Sequence, residues 1–152
     1  AAELPRELTE LMAIPGLGRW LTRPDPRWTR RFLAGLVDDP DQVTDAMVEL
    51  SVALMSQPGA QDAYLATIRS LATIFGPRKD VVADIVDHLD AITARTLVIW
   101  GQQDEAIPVS HAETAVAGIP DAELVIIEAC GHMPMVEHPD VFNEAVRAFL
   151  AP

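Results

Sequence analysis

The sequence predicts an α/β protein whose helices come first and whose sheet comes last. Three observations carry that expectation. Residues 1 to about 90 repeat apolar residues at helical spacing between Pro and Gly breaks. Thr96–Trp100 (TLVIW) and Leu124–Ile127 (LVII) are short continuous β-prone runs, the form taken by strands buried on both faces of a parallel sheet. Between them lies PVSHAETAVAGIPD, a short helix with Pro108 near its start and Gly118 at its end. Strand, crossover helix and strand make a βαβ unit, so the two strands should be parallel.

The earlier elements follow in order. LPRELTELMAI puts Leu4, Leu8, Leu11 and Met12 on one face, and Pro15-Gly16 stops it. RPDPRWTRRFLAGLV offers Asp25 as N-cap and Pro26 at the first helical position. DDPDQVTDAMVELSVALMS repeats the device with Asp39 and Pro40. That helix is apolar nearly all round from Val43 to Met55, so it buries more than one side or faces both a core and a pocket. PGAQDAYLATIRSLATIFG runs from Pro58-Gly59 to Gly76, read as a C-terminal cap. VVADIVDHLDAI leads into the first strand. HPDVFNEAVRAFL closes the chain, with Pro139 at its entry and Val141, Phe142, Ala145, Val146, Phe149 and Leu150 on one face. The expected division is a helical part over 1–90 and a sheet-bearing part over 91–152.

Composition narrows the partners. The chain has 152 residues, 49% of them hydrophobic, enough for a core. Its net charge is −12, which argues against nucleic acid or an anionic membrane as partner. The charge is uneven: residues 1–31 carry +2 and the rest −14. Arg19, Arg23, Arg27, Arg30 and Arg31 interleave with Trp20 and Trp28, either as a solvated face with stacked guanidiniums or as a docking patch for an acidic partner. One cysteine, Cys130, permits no internal disulfide, which fits a reducing, cytoplasmic setting or simply a fold that needs no staple. No apolar run approaches the roughly 18 residues of a membrane span. The opening AAELPRELTEL has no initiator Met and no signal-peptide layout, so the expectation is a chain that begins partway through a longer protein.

Catalytic groups gather at the carboxyl ends of parallel strands. GQQDEAIP follows the first strand, and EACGHMPMVEHP follows the second. Asp104 and His132 thus leave neighbouring strands at one edge. An acid there accepts a hydrogen bond from the imidazole and fixes its tautomer, and the histidine then serves as general base. Taken alone, an acid after a strand is a turn or cap residue. His88 and His111 read as exposed helix residues, His138 as a cap on the final helix and Glu137 as an anchor at its entry. Met47, Met55, Met133 and Met135 are candidates to line an apolar substrate pocket, with core filling as the competing reading.

LVIWGQQDEAIP, then PDAELVIIEACGHMPMVEHPDVFNEAVRAFL, resembles the C-terminal end of the α/β-hydrolase family. There a strand ends in W-G-x-x-D, followed by a helix, a strand, G-H, E-H-P and a final amphipathic helix. The resemblance implies that Asp104 is the triad acid and His132 the triad base, in the order Ser…Asp…His. It also implies the C-terminal part of an α/β-hydrolase sheet, preceded by an all-helical lid over residues 1–90. One departure is Ala94-Arg95, where members often carry a proline. The larger one is the absence of G-x-S-x-G. Ser51 and Ser70 lie inside predicted helices, Ser56 at a helix end and Ser110 at a helix start, none on a strand-to-helix elbow. Cys130 is too close in sequence to His132 to attack in line and reads as a buried apolar residue.

The resemblance implies a portion of a hydrolase that needs no cofactor and no metal. Its nucleophile lies outside this chain, so the chain alone is expected to be inactive. The apolar lid implies a small apolar or aromatic substrate: an ester, a lactone or a carbon–carbon bond of a ring-cleavage product. An Asp nucleophile would instead mean epoxide or haloalkane hydrolysis. Two strands this apolar cannot cover themselves. The sheet is therefore expected to be completed by an upstream half, a separate chain or a second copy. The alternative is a non-catalytic, truncated interaction module.

Overall fold

The computed structural model describes residues 11–73 and 75–151. They divide into two compact units, each taken by itself below. One comprises residues 34–42 and 85–151 and holds the parallel strands; the other comprises residues 11–33 and 43–84 and is mainly helical. Leu4 and Leu8 of the first expected helix lie outside the described residues; Leu11 and Met12 are helical, and Pro15-Gly16 follows in a turn.

The helical unit contains α1 (Leu17–Leu21), α3 (Asp45–Met55) and α4 (Ala60–Leu71), while α2 (Pro26–Ala34) and α5 (Lys79–Asp87) run to its boundaries. Asp25 starts α2 as expected, its Oδ1 accepting from Trp28 N at 2.9 Å. Met12, Thr22, Val43, Val48 and Leu65 form the buried centre. Gly18 is required there, because a Cβ would lie 2.2 Å from the Met12 carbonyl oxygen. The arginine-rich stretch is satisfied largely within the unit. Arg19 pairs with Asp62, Arg30 pairs with Asp45 and donates to Val43 O at 2.7 Å, and Arg23 lies 5.4 Å from the centre of the Trp20 ring. Such exposed pairs contribute little to stability, and the stacked stems cover apolar surface.

Two expectations are corrected here. Asp39 and Pro40 do not start α3; they form a single 3-10 turn, Pro40–Gln42, with Asp39 Oδ1 accepting from Asp41 N at 3.0 Å. The α3 cap is Thr44, which is extended and whose Oγ1 accepts from Met47 N at 3.3 Å. Buried Val43 separates the two, so a helix begun at Pro40 would have to turn it away from the core. Next, α4 ends at Leu71 and Gly76 caps no helix. It lies at φ 106 in a small antiparallel hairpin, β1 (Ala72–Thr73) with β2 (Gly76–Pro77), a backbone conformation that favours glycine. Residues 1–90 are therefore not helices alone. Of the two readings of α3, the core-and-pocket one matches: Val48 faces the core, while Leu50 and Leu54 are 61% and 58% exposed. Leu54 and Met55 line an open pocket of about 250 Å³ with Trp28, Phe32 and Tyr64, the core-and-pocket arrangement of a helix apolar on two sides.

In the sheet unit, β3 (Thr96–Gly101) and β4 (Ala122–Ile127) pair in parallel, from Thr96 against Ala122 to Gly101 against Ile127. The crossover helix α6 (Ser110–Gly118) packs on both strands, and α8 (Pro139–Leu150) packs on β3. A short α7 (Pro134–Glu137), unforeseen in the sequence, precedes α8. Arg95, at the position where the family resemblance leads one to expect a proline, ties the start of the sheet together. It reaches Glu123 Oε1 at 2.8 Å and Phe149 O at 2.6 Å, and its guanidinium lies 4.2 Å from the Phe149 ring centre. Thr96 to Trp100 are only half-buried and Ile126 is 38% exposed, short of full cover on both faces. Among the described residues, no helix is long and apolar enough to cross a membrane.

Candidate active site

The site begins where the paired strands end. Beyond Gly101 and Ile127 the two loops stay zipped together. Gln102 N donates to Ile127 O at 2.9 Å, Gln103 N to Cys130 O at 2.8 Å, and Gln103 Oε1 accepts from Cys130 N at 3.1 Å. The approach is so close that a Cβ on Gly101 would lie 1.9 Å from Gly131 O. Ala129 takes a left-handed φ of 50°, turning the second loop back toward the first.

This brings Asp104 and His132 together. Asp104 Oδ2 lies 2.8 Å from His132 Nδ1. Its Oδ1 accepts from Ala106 N at 2.9 Å and Ile107 N at 2.8 Å, so the carboxylate is fixed by its own turn before the imidazole arrives. The Asp104 side chain is only 3% exposed, whereas that of His132 is 36% exposed. A carboxylate facing Nδ1 holds the proton on that nitrogen and leaves Nε2 as the basic edge. The loop is fixed from its other side too, His132 N donating to Leu36 O at 2.7 Å.

Glu137 has a larger part than the entry anchor read from the sequence. It is 7% exposed, and its two oxygens accept from Gly131 N at 3.0 and 2.9 Å, Met133 N at 3.1 Å and Asp38 N at 2.8 Å. His138 stands at the N-cap of α8 as expected, its carbonyl accepting from Phe142 N at 2.9 Å, but its side chain makes no cap bond and its Nε2 lies 2.7 Å from Ala129 O. His111 is exposed on α6, as expected. The four methionines are divided between the two units. Met47 and Met55 belong to the helical unit, where Met55 lines the pocket described above. Met133 follows His132 directly, and Met135 on α7 is 52% exposed. Ser51 and Ser70 lie within α3 and α4, Ser56 follows α3, and Ser110 opens α6, so none stands on a strand-to-helix turn.

Cys130 is fully buried, as expected of an apolar cysteine. Burial, with the Glu137 charge adding to it, pushes its thiol up to about 12. Below pH 9 the native protein should therefore react very slowly with iodoacetamide and the unfolded chain quickly. The sign of the linked stability follows. The unfolded thiol ionises near 9.0 and the folded one near 12, so stability falls as pH rises between them. A urea titration series from pH 8 to 11 on the Cys130→Ala variant should lose that slope relative to the parent.

A parallel pair ending in a hydrogen-bonded Asp–His at its carboxyl edge, with a crossover helix between, is an arrangement the α/β-hydrolase fold contains. The chain belongs to the alpha/beta hydrolase family, whose model matches residues 2–145. Among its relatives, a 2-hydroxy-6-oxo-6-phenylhexa-2,4-dienoate hydrolase of Burkholderia cepacia is 43% identical over 68 residues, 45% of this chain and 24% of that protein. A 2-hydroxy-6-oxononadienedioate/2-hydroxy-6-oxononatrienedioate hydrolase of Cupriavidus pinatubonensis is 33% identical over 98% of this chain and 48% of its own length. Among solved structures, a serine hydrolase involved in carbazole degradation superposes with a TM-score of 0.72 at 27% identity, over 84% of this chain and 47% of that one. The chain spans about half the length, or less, of the relatives it matches.

Proposed function

We propose that this chain supplies the acid and the base of a hydrolase triad, Asp104 and His132, and that residues outside this sequence supply the nucleophile. The single observation that carries the reading is the 2.8 Å contact between Asp104 Oδ2 and His132 Nδ1 at the carboxyl edge of two parallel strands. In the proposed reaction, His132 Nε2 takes the proton of the nucleophile's hydroxyl as it attacks the substrate carbonyl. Asp104 stabilises the imidazolium that results, the same proton is then delivered to the leaving group, and water deprotonated in turn by His132 releases the acyl group from the nucleophile. The half-covered strands β3 and β4 support completion of the sheet by further strands. The helical residues among 1–90 serve as a lid, and the apolar pocket containing Trp28, Phe32 and Met55 supports an apolar substrate.

The hydrolases this chain resembles support a conjugated 2-hydroxy-6-oxo-dienoate, cleaved at a carbon–carbon bond, as the substrate class. Assaying the full-length protein by the fading of such a dienoate's absorbance tests this. Turnover supports the reading. Hydrolysis of nitrophenyl esters alone would move it to an esterase, and turnover of neither would remove it.

A further inference from the structure

We infer that Glu137 is a positioning residue for His132, acting through the backbone of the loop that carries it. The inference rests on the triad reading above and extends it to a residue that touches neither member of the pair. The carboxylate lies inside the turn 131–137 and takes amide protons from both sides of His132: Gly131 before it and Met133 after it. It also takes the amide proton of Asp38, which is 99 positions away in sequence. One buried anion thus bridges the His132 loop and the bend at 36–38. That segment returns the contact, Leu36 O accepting from His132 N at 2.7 Å.

The physical case is one of geometry under constraint. Amide bonds to a carboxylate are roughly twice as strong as neutral ones, and burial strengthens them further. Three residues in a row, 131 to 133, have their amides tied at 3.1 Å or less, two to Glu137 and the middle one to Leu36. The φ and ψ of His132 therefore have little freedom, and its imidazole meets an Asp104 carboxylate that is itself fixed. Gly131 fits the same design: a Cβ there would lie 2.8 Å from both Asp38 N and Leu36 O. The partners of this carboxylate are backbone amides and the Cys130 thiol at 3.8 Å, not a cation, so the charge serves the backbone of the loop.

The test reads position and turnover separately, in full-length protein labelled with ¹⁵N-histidine. The His132 Nδ1–H held by Asp104 should give a downfield proton signal that exchanges slowly. In Glu137→Gln the size is kept, but one of the two acceptor oxygens becomes an NH₂ group facing the backbone amides. The expected result is exchange of that proton faster by about tenfold or more. With it, kcat should fall by about 100-fold, the scale of an ångström misplacement, while KM stays within about twofold. A folded Glu137→Gln protein with parental exchange and parental kcat overturns the inference. If Glu137→Gln does not fold, Glu137→Asp keeps the charge but withdraws it by one methylene; a smaller loss in both readouts is expected, and full retention overturns the inference. Faster Nδ1–H exchange in Glu137→Gln, beside unchanged turnover in His132→Ala, would uphold the positioning of His132 and remove the triad reading instead.

Discussion

His132→Ala in the full-length protein is expected to lose nearly all turnover, by about 10⁴-fold or more in kcat. KM should change far less, because in the proposed reaction the imidazole moves protons and does not hold the substrate in place. Asp104→Asn should cost about 10³–10⁴-fold for a different reason. Oδ1 of Asp104 accepts two amide protons, from Ala106 and Ile107, and an asparagine keeps them only by placing its carbonyl oxygen there. Its NH₂ then faces His132 Nδ1. That nitrogen must become the acceptor, which moves the imidazole proton to Nε2, the edge required as base. Folding should be nearly undisturbed. Turnover within tenfold of the parent in His132→Ala would end the assignment, and steady-state kinetics with the dienoate decides it.

Gly101→Ala should have the largest effect on stability. The added methyl carbon would lie 1.9 Å from Gly131 O and 2.4 Å from Cys130 O, both backbone atoms that no rotamer change can move. The loops carrying Asp104 and His132 must part, breaking the Gln102–Ile127 and Gln103–Cys130 bonds that extend the sheet. A cost of about 3 kcal/mol, the upper end for overpacking, lowers Tm by roughly 6–12 °C in a protein of this size class. Activity should fall with it. An unchanged Tm would mean that the two loops do not approach as described.

Much of this was legible in the chain, and the reasons differ by element. β3 and β4 announced themselves because continuous apolar runs bounded by turn residues have few other uses. Their parallel pairing followed from the single helix between them. Asp104 and His132 were legible because both stand at the same distance scale beyond their strands and carry a family's local pattern. Thr44 was missed as the α3 cap because Asp39-Pro40 is the stronger local signal, and only the burial of Val43 overrides it. The β1–β2 hairpin was missed because four paired residues leave no period to detect. Glu137 was read as a local anchor because its most telling partner, the Asp38 amide, lies far away in sequence, and a backbone donor has no residue signature.

The placement of residues 34–42 in the sheet-bearing unit bears on how the protein can be re-engineered. The helical part looks like a detachable module, and exchanging or deleting it as one block up to residue 90 would be the natural first attempt. That block contains Leu36 O and Asp38 N. Removing it would leave the His132 amide without its acceptor and Glu137 short of one donor. A chimera that takes its helices from another family member should instead be spliced at three seams, near residues 33, 43 and 85, retaining the native nonapeptide between the first two.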